Sequence, residues 1–539
     1  MELIAIKKLF GKTGITKIQA IAIIAIIVIA AIGGVFYYQS GLMPAPTAEQ
    51  VLVIGTTDRP TTLDPGSLLT SAAAWTDQFV LDTLFTFANG SELIPWLAES
   101  YTISEDGKEI DLYLEEGVMW HDGSEFTAED VKFSIDRESY LPGVMNYLIT
   151  MNIESCEVID TYHVKIKTIE AMPMIMLKIL SSSLYAPVPK DNIQETAENA
   201  TAWGCDAWGY DVFVGTGPYK LVEYVIDEKI VLEKNDNYWA KTKGYDPTID
   251  TIIIKYYGDP AALRMALETK EIDITFRGLD PLDIPDLIAN PDIEVSEIPF
   301  TFEYLDMHLN HAPLNNTKVR KAIAYAVNVT NVLEKGFKNR GVITYSCMPP
   351  PAEFWYNTLF AQYHYDPDMA VELLTEAGYP DGFNIELYLH SELIDPCTVI
   401  AADLAEVGID VKLVLVDRVE IRNLRRNGFI PMEVGGWFPD YPDPHNWMTE
   451  IFFYHQSYSY WHSERFEELE ILEKSASDDN TRKTYFSEMS QIVAEEVPLY
   501  PLAFVHKSVA YQEYVKNFVY PTNFYCEVFG YGYCTIEKD

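Results

Sequence analysis

Residues 435–447, GGWFPDYPDPHNW, gather the side chains best suited to binding chemistry. Two glycines, three prolines and no apolar periodicity make this segment a loop, and a loop displays Trp437, Asp440 and Tyr441. A partly desolvated Asp440 carboxylate suits charge-assisted hydrogen bonds to an ammonium group. Trp437 suits stacking on an apolar or sugar face, or on a cation. The competing structural roles are a turn cap for Asp440 and a core position for Trp437. His445 with Asp443 nearby suggests a metal, but no second histidine stands at ligand spacing, so no metal is expected. The triplet Trp120, His121 and Asp122 invites a catalytic reading. Arg320 falls on an amphipathic helix, and Arg418 is a candidate partner for a ligand carboxylate.

Motifs that carry catalysis are missing. The sequence has no GxxxxGK[ST], HExxH, GxSxG, EF-hand loop or intact GxGxxG. Gly215 and Gly217 in VGTGPYK come closest, but Pro218 removes an amide that a phosphate cradle would use, so a turn before a strand is expected there. No enzyme activity and no cofactor are expected. The 539 residues carry 39 basic against 81 acidic side chains, a net of −42, which repels nucleic acid and anionic lipid. Six cysteines without CxxC spacing are too few for a disulfide scaffold. Cys526 and Cys534 are the best candidate pair, because a hairpin there would bring the sulfurs together.

The elements that must position these residues alternate irregularly between helix and strand, and a mixed α/β body is expected. VLVIGT at 51–56 reads as a buried strand, with a helix from Ala72 through Leu84. Residues 110–114 and 163–168 alternate as strands. Thr127 and Asp130 form a capping box before an amphipathic helix with Val131, Ser134 and Ile135 inward. Residues 249–257, the helix AALRMALETK and residues 272–276 read as a strand, helix, strand unit. Lys318 to Gly336 predicts one long helix. Further helices are expected at 367–377, 396–407, 464–474 and 482–496, with strands at 383–389, 411–416 and 498–505.

One uninterrupted apolar stretch, Ile18 to Val35, precedes this body and closes with Phe36, Tyr37 and Tyr38. At about 1.5 Å per residue it is long enough for a hydrocarbon layer of roughly 30 Å. Lys7, Lys8, Lys12 and Lys17 come before it and no Lys or Arg follows until Arg59, which places residues 1–17 in the cytoplasm and the rest outside. The expectation is an uncleaved single-pass anchor over 18–38 in the cell membrane, a linker over 39–50 and an extracellular remainder.

A series of segments in fixed order resembles the family 5 extracellular solute-binding proteins of ABC importers, the peptide and nickel group. They include IPWLAESYTISEDGKEIDLYLEEGVMWHDGSEFTAEDVKFSIDR, VGTGPYKLVEY, RMALETKEIDI, LNHAPLNNTKVRKAIAYAVN, YDPDMAVELLTEAGYPDGF, GGWFPDYPDPHNW and AEEVPLYPLAF. Lys270 replaces the usual glycine of one family turn. Together the segments span almost everything from about residue 51 to the end.

The resemblance implies a two-lobed fold of the periplasmic-binding-protein type (type II, cluster C-like) with an inserted subdomain, closing on a solute in its cleft. Lobe I would take 51–83, 210–302 and 510–539, the insertion 84–209, and lobe II 303–509. Trp120, His121 and Asp122 then fall in a turn of the insertion. An aspartate matching Asp440 pairs with the ligand's α-amino group in peptide-binding members. A monomer that captures short peptides and delivers them to an ABC permease and its ATPase is therefore expected. Aromatic clusters at 452–461 and 524–533 keep oligosaccharides as an alternative ligand, and a tethered sensory or adhesive protein is the alternative from another class.

Overall fold

The apolar run VLVIGT forms the strand Val51–Thr56, with Leu52 and Ile54 fully buried. Thr251–Tyr256 and Ile274–Thr275 flank it, both parallel to it. The helix Pro260–Glu268 joins those two, capped by Asp259 through Ala262 N, and completes the predicted strand, helix, strand unit. The computed structural model describes residues 49–539 except 61, 68–70, 89–91, 142–145, 194–212, 349–356, 453–459, 520–531 and 539. The expected membrane anchor over 18–38 and nearly all of the linker lie outside the described residues. Among those described, no helix is long and apolar enough to cross a membrane.

Residues 51–539 form one unit around two large hydrophobic cores. The first holds Leu52, Trp75, Phe276 and Val509, and the second holds Leu305, Ile323, Leu387, Trp461 and Phe504. Two long strands, Ile293–Met307 and Leu499–Gln512, serve both cores and pair antiparallel from Ile293 opposite Gln512 to Asp306 opposite Leu499. Phe300 packs in the first core while Phe302 packs in the second. The ladder slips between Pro299 and Thr301 and again between Glu303 and Tyr304, so its regular hydrogen bonding is interrupted where the strands pass from one core to the other.

The second core is built on Phe383–Leu389 and Ile409–Leu415, which run parallel, with Met432–Trp437 next to them. A separate four-stranded antiparallel sheet lies within 98–168, in the order Ala98–Ile103, Glu109–Leu114, His163–Thr168, Ile153–Asp160. The capping box of Thr127 and Asp130 is present and opens the helix Ala128–Glu138 with Val131, Ser134 and Ile135 buried.

Three elements differ from expectation, each for a local reason. The first helix spans Ser71–Val80 and stops short of Leu84, because Val80 O accepts from Gly217 N at 2.9 Å. The long helix over 318–336 is broken: Thr317–Ala326 ends at an extended Val327, and Asn328 caps a new turn through Asn331 N while its own amide goes to Asp403. The last strand runs to Gln512 rather than Val505, since pairing with Ile293–Met307 carries it back to the first core.

Candidate functional site

The strand Met432–Trp437 pairs antiparallel with Phe302–Met307, and its end releases the chain into the 438–445 loop. Asn446 organises that loop. Its Oδ1 accepts from Asp440 N and from Trp437 Nε1, each at 3.2 Å. Asp440 is 6% exposed, and its Oδ2 accepts the Tyr147 hydroxyl at 3.0 Å, from the helical turn Tyr147–Thr150. Trp437 is half-buried against the second core. Tyr441 instead packs in the first core at 1% exposure, so it is a packing residue in this arrangement. Arg418 opens the helix Arg418–Arg426, and its side chain lies outside the described residues.

The rest of the motif is an ionic anchor. Arg482 donates to Asp443 from Nη1 at 2.8 Å and Nη2 at 2.5 Å, and to Glu473 from Nη2 at 2.9 Å. Lys178 also contacts Asp443, and His445 Nδ1 contacts Glu473. Burial alone would raise the Asp443 carboxyl, but Arg482 and Lys178 hold it well below the usual carboxylate range. Asp443 and His445 thus clamp the loop to the helices Glu464–Ser475 and Asp479–Glu496, and to Pro173–Ile179 through Lys178. His445 is a structural histidine.

A row of aromatic rings begins at Phe438, two residues before Asp440. Phe438 stacks on Phe300 with centroids 5.5 Å apart, and Lys507 Nζ lies 4.8 Å from Phe300 and 4.7 Å from Phe276. Phe276 stacks on Trp75 at 4.0 Å, and the Arg277 guanidinium is 5.9 Å from the same ring. The far end of the row carries Lys507 and Arg277, the latter 3.8 Å from Asp58. Desolvation, with repulsion from Arg277, pushes the Lys507 ammonium well below its ordinary pKa. Lys507 does not stand out in the sequence. Its only signal is a lysine in the middle of the largely apolar strand LYPLAFVHKSVAYQ.

The other nominated groups are structural. Gly215 N donates to His121 Nδ1 at 3.2 Å, so Nε2 carries the hydrogen and donates to Gly217 O at 2.9 Å. Burial pushes His121 down to about 4, which keeps it neutral. Gly215 and Gly217 lie so close to the Val80 backbone that a Cβ on them would come within 1.7 Å and 2.6 Å of it, which is why this turn needs glycine. Arg320 is 2% exposed and donates to Leu314 O, Glu496 O and Val497 O, closing the end of the helix Asp479–Glu496. Phe452 and Trp461 pack in the second core, while 453–459 and most of 524–533 lie outside the described residues. Cys526 also lies outside them, so the predicted disulfide with Cys534 is untested.

The model of the bacterial extracellular solute-binding proteins, family 5, matches residues 92–459. The chain belongs to that family. The dipeptide-binding protein of Escherichia coli K12 is 29% identical over 434 residues, 75% of this chain and 79% of that protein. Heme-binding protein A of Haemophilus influenzae is 28% identical over 405 residues, 69% of this chain and 71% of that one. The ABC transporter-associated periplasmic binding protein DppA of Helicobacter pylori, solved with the peptide STSA, superposes with a TM-score of 0.75 at 26% identity over 90% of this chain and 98% of its own. This family 5 protein therefore has the two-lobed periplasmic-binding-protein fold, in a family of solute-binding components rather than enzymes.

Proposed function

We propose that this chain is the extracytoplasmic binding component of an ABC importer and captures short peptides. The observation that carries the reading is the buried carboxylate Asp440 in the same loop as Phe438, whose ring begins a row that ends at Lys507 and Arg277. A peptide is a zwitterion, and Asp440 matches its ammonium while Lys507 with Arg277 matches its carboxylate. Trp437 and Phe438 supply stacking surface for side chains between them. Lobes made of 51–83, 210–302 and 510–539 with the 84–209 insertion, and of 303–509, close by bending at the register slips of the two shared strands. The helix over 18–38 anchors the protein outside the cell, near the permease and ATPase it serves.

The full chain is expected to melt at a higher temperature with a panel of di- to tetrapeptides. A ligand at a hundred times its Kd stabilises the folded form by about 2.7 kcal/mol. A panel that leaves the melting temperature unmoved while an oligosaccharide raises it overturns the peptide reading.

Lys507 gives that reading a pH signature. A carboxylate pairs only with the protonated ammonium, and its pKa in the free protein is depressed. Peptide affinity should therefore be full below that depressed pKa and fall as pH rises through it, with proton uptake on binding. Calorimetry in buffers of different ionisation enthalpy reads the uptake. Lys507→Met should abolish it, and C-terminally amidated peptides should not show it. Equal uptake with amidated peptides removes Lys507 from the site.

A further inference from the structure

A second group of charges lies at the opposite end of the strand that leads to the loop. Asp306 and His308 are two apart at the end of Ile293–Met307, so strand alternation turns both to one face. Glu433 sits directly opposite Asp306 in the ladder, and His308 N continues that ladder to Pro431 O at 2.9 Å. All three side chains are buried, with 2%, 0% and 1% exposure for Asp306, His308 and Glu433.

Two carboxylates facing each other across a dry ladder repel strongly. Arg425 neutralises one, donating to Glu433 from Nε at 2.6 Å and Nη2 at 2.7 Å. Neither ring nitrogen of His308 makes a hydrogen bond, although the ring is fully buried. Its Nε2 stands 3.4 Å from Asp306 Oδ2 and 3.5 Å from Glu433 Oε1. Those separations exceed an N–H···O bond of about 2.7 to 3.2 Å. They are close to the edge of a tetrahedron around a metal with bonds of 2.0 to 2.1 Å, which is about 3.3 to 3.4 Å.

We propose that Asp306, His308 and Glu433 bind one divalent transition-metal ion of the zinc class. An imidazole with two carboxylates is a donor set that zinc accepts, and one ligand atom from each lies within 4.8 Å of the others. Arg425 then orients the Glu433 carboxylate from outside the metal, as the supporting groups around metal ligands do. The ion fastens Phe302–Met307 to Met432–Trp437, the strand that ends at the ligand loop. A protonated His308 paired with Asp306 and Glu433 is the competing arrangement. Burial would lower its pKa, but Asp306 and Glu433 raise it to about 9.

The test uses the full chain, stripped with a chelator and dialysed against zinc chloride. One equivalent of zinc should remain bound, and X-ray absorption of the loaded protein should show nitrogen and oxygen neighbours and no sulfur. His308→Asn and Asp306→Asn should each lose that equivalent while still binding peptide. No retained zinc in the wild type, sulfur in its coordination shell, or full retention in both variants overturns the site. The absorption spectrum needs no variant, so the proposal stays testable if the substitutions unfold the chain.

Discussion

Asp440→Asn is expected to weaken peptide binding by about 1.5 to 3 kcal/mol, the scale of a hydrogen bond to a charged group. That is roughly a 10- to 150-fold rise in Kd. Asparagine keeps the shape and can still accept the Tyr147 hydroxyl through its amide oxygen, and the backbone bond to Asn446 is untouched. What disappears is the negative charge in a site that is 94% covered, where little water remains to solvate an incoming ammonium. N-acetylated peptides, which lack the ammonium, should bind both forms equally. Calorimetry on the two proteins with free and acetylated peptides reads all four values. Equal affinity of the two proteins for free peptides would place the ammonium elsewhere.

Arg482→Met should destabilise the folded chain by about 3 to 5 kcal/mol, the cost of breaking a buried ion pair from one side. Arg482 is fully buried and serves Asp443 and Glu473 together. Its loss leaves Lys178 as the cation on Asp443 and strands much of the charge on Glu473. The effect has a pH sign. The folded Asp443 pKa is depressed, so its contribution is full above the ordinary carboxylate range and is lost as pH falls through the lower folded value. Wild-type stability should therefore fall with acid more steeply than the variant's, because the variant has already lost that contribution. Urea unfolding at neutral and acid pH measures the difference. A change below about 1 kcal/mol at neutral pH would mean that Lys178 and His445 suffice to hold the loop.

Local pattern made much of the fold legible. The apolar run at Val51–Thr56, the capping box at Thr127 and the amphipathic helix at Pro367–Glu376 are each decided by residues within one turn or one strand. The helix over 318–336 looks continuous in the sequence because its period of apolar residues continues through Val327. The break comes from Asp403, which is distant in sequence and takes the amide of Asn328. The end of the first helix is hidden from the sequence for a similar reason, Gly217 reaching Val80 O from far along the chain. Of the candidate site, Asp440 and Trp437 were legible because glycine and proline mark the loop that displays them. Lys507 and the group Asp306, His308 and Glu433 were not, since nothing local distinguishes a charge on a buried strand face from one that faces water.

The sequence by itself determined the class of molecule: a strongly acidic α/β body, its family segments in order and the loop that displays Asp440 and Trp437. Composition and short-range spacing suffice for the acidic α/β body and the loop, because these follow from local backbone preference and solvation, while the family comes from the resemblance of the ordered segments. Only the tertiary structure decided which charges meet. It set Tyr147 on Asp440, Lys178 and Arg482 on Asp443, and Glu433 opposite Asp306. Such pairings join residues far apart in the chain, and their energies depend on how completely the fold removes water from around them.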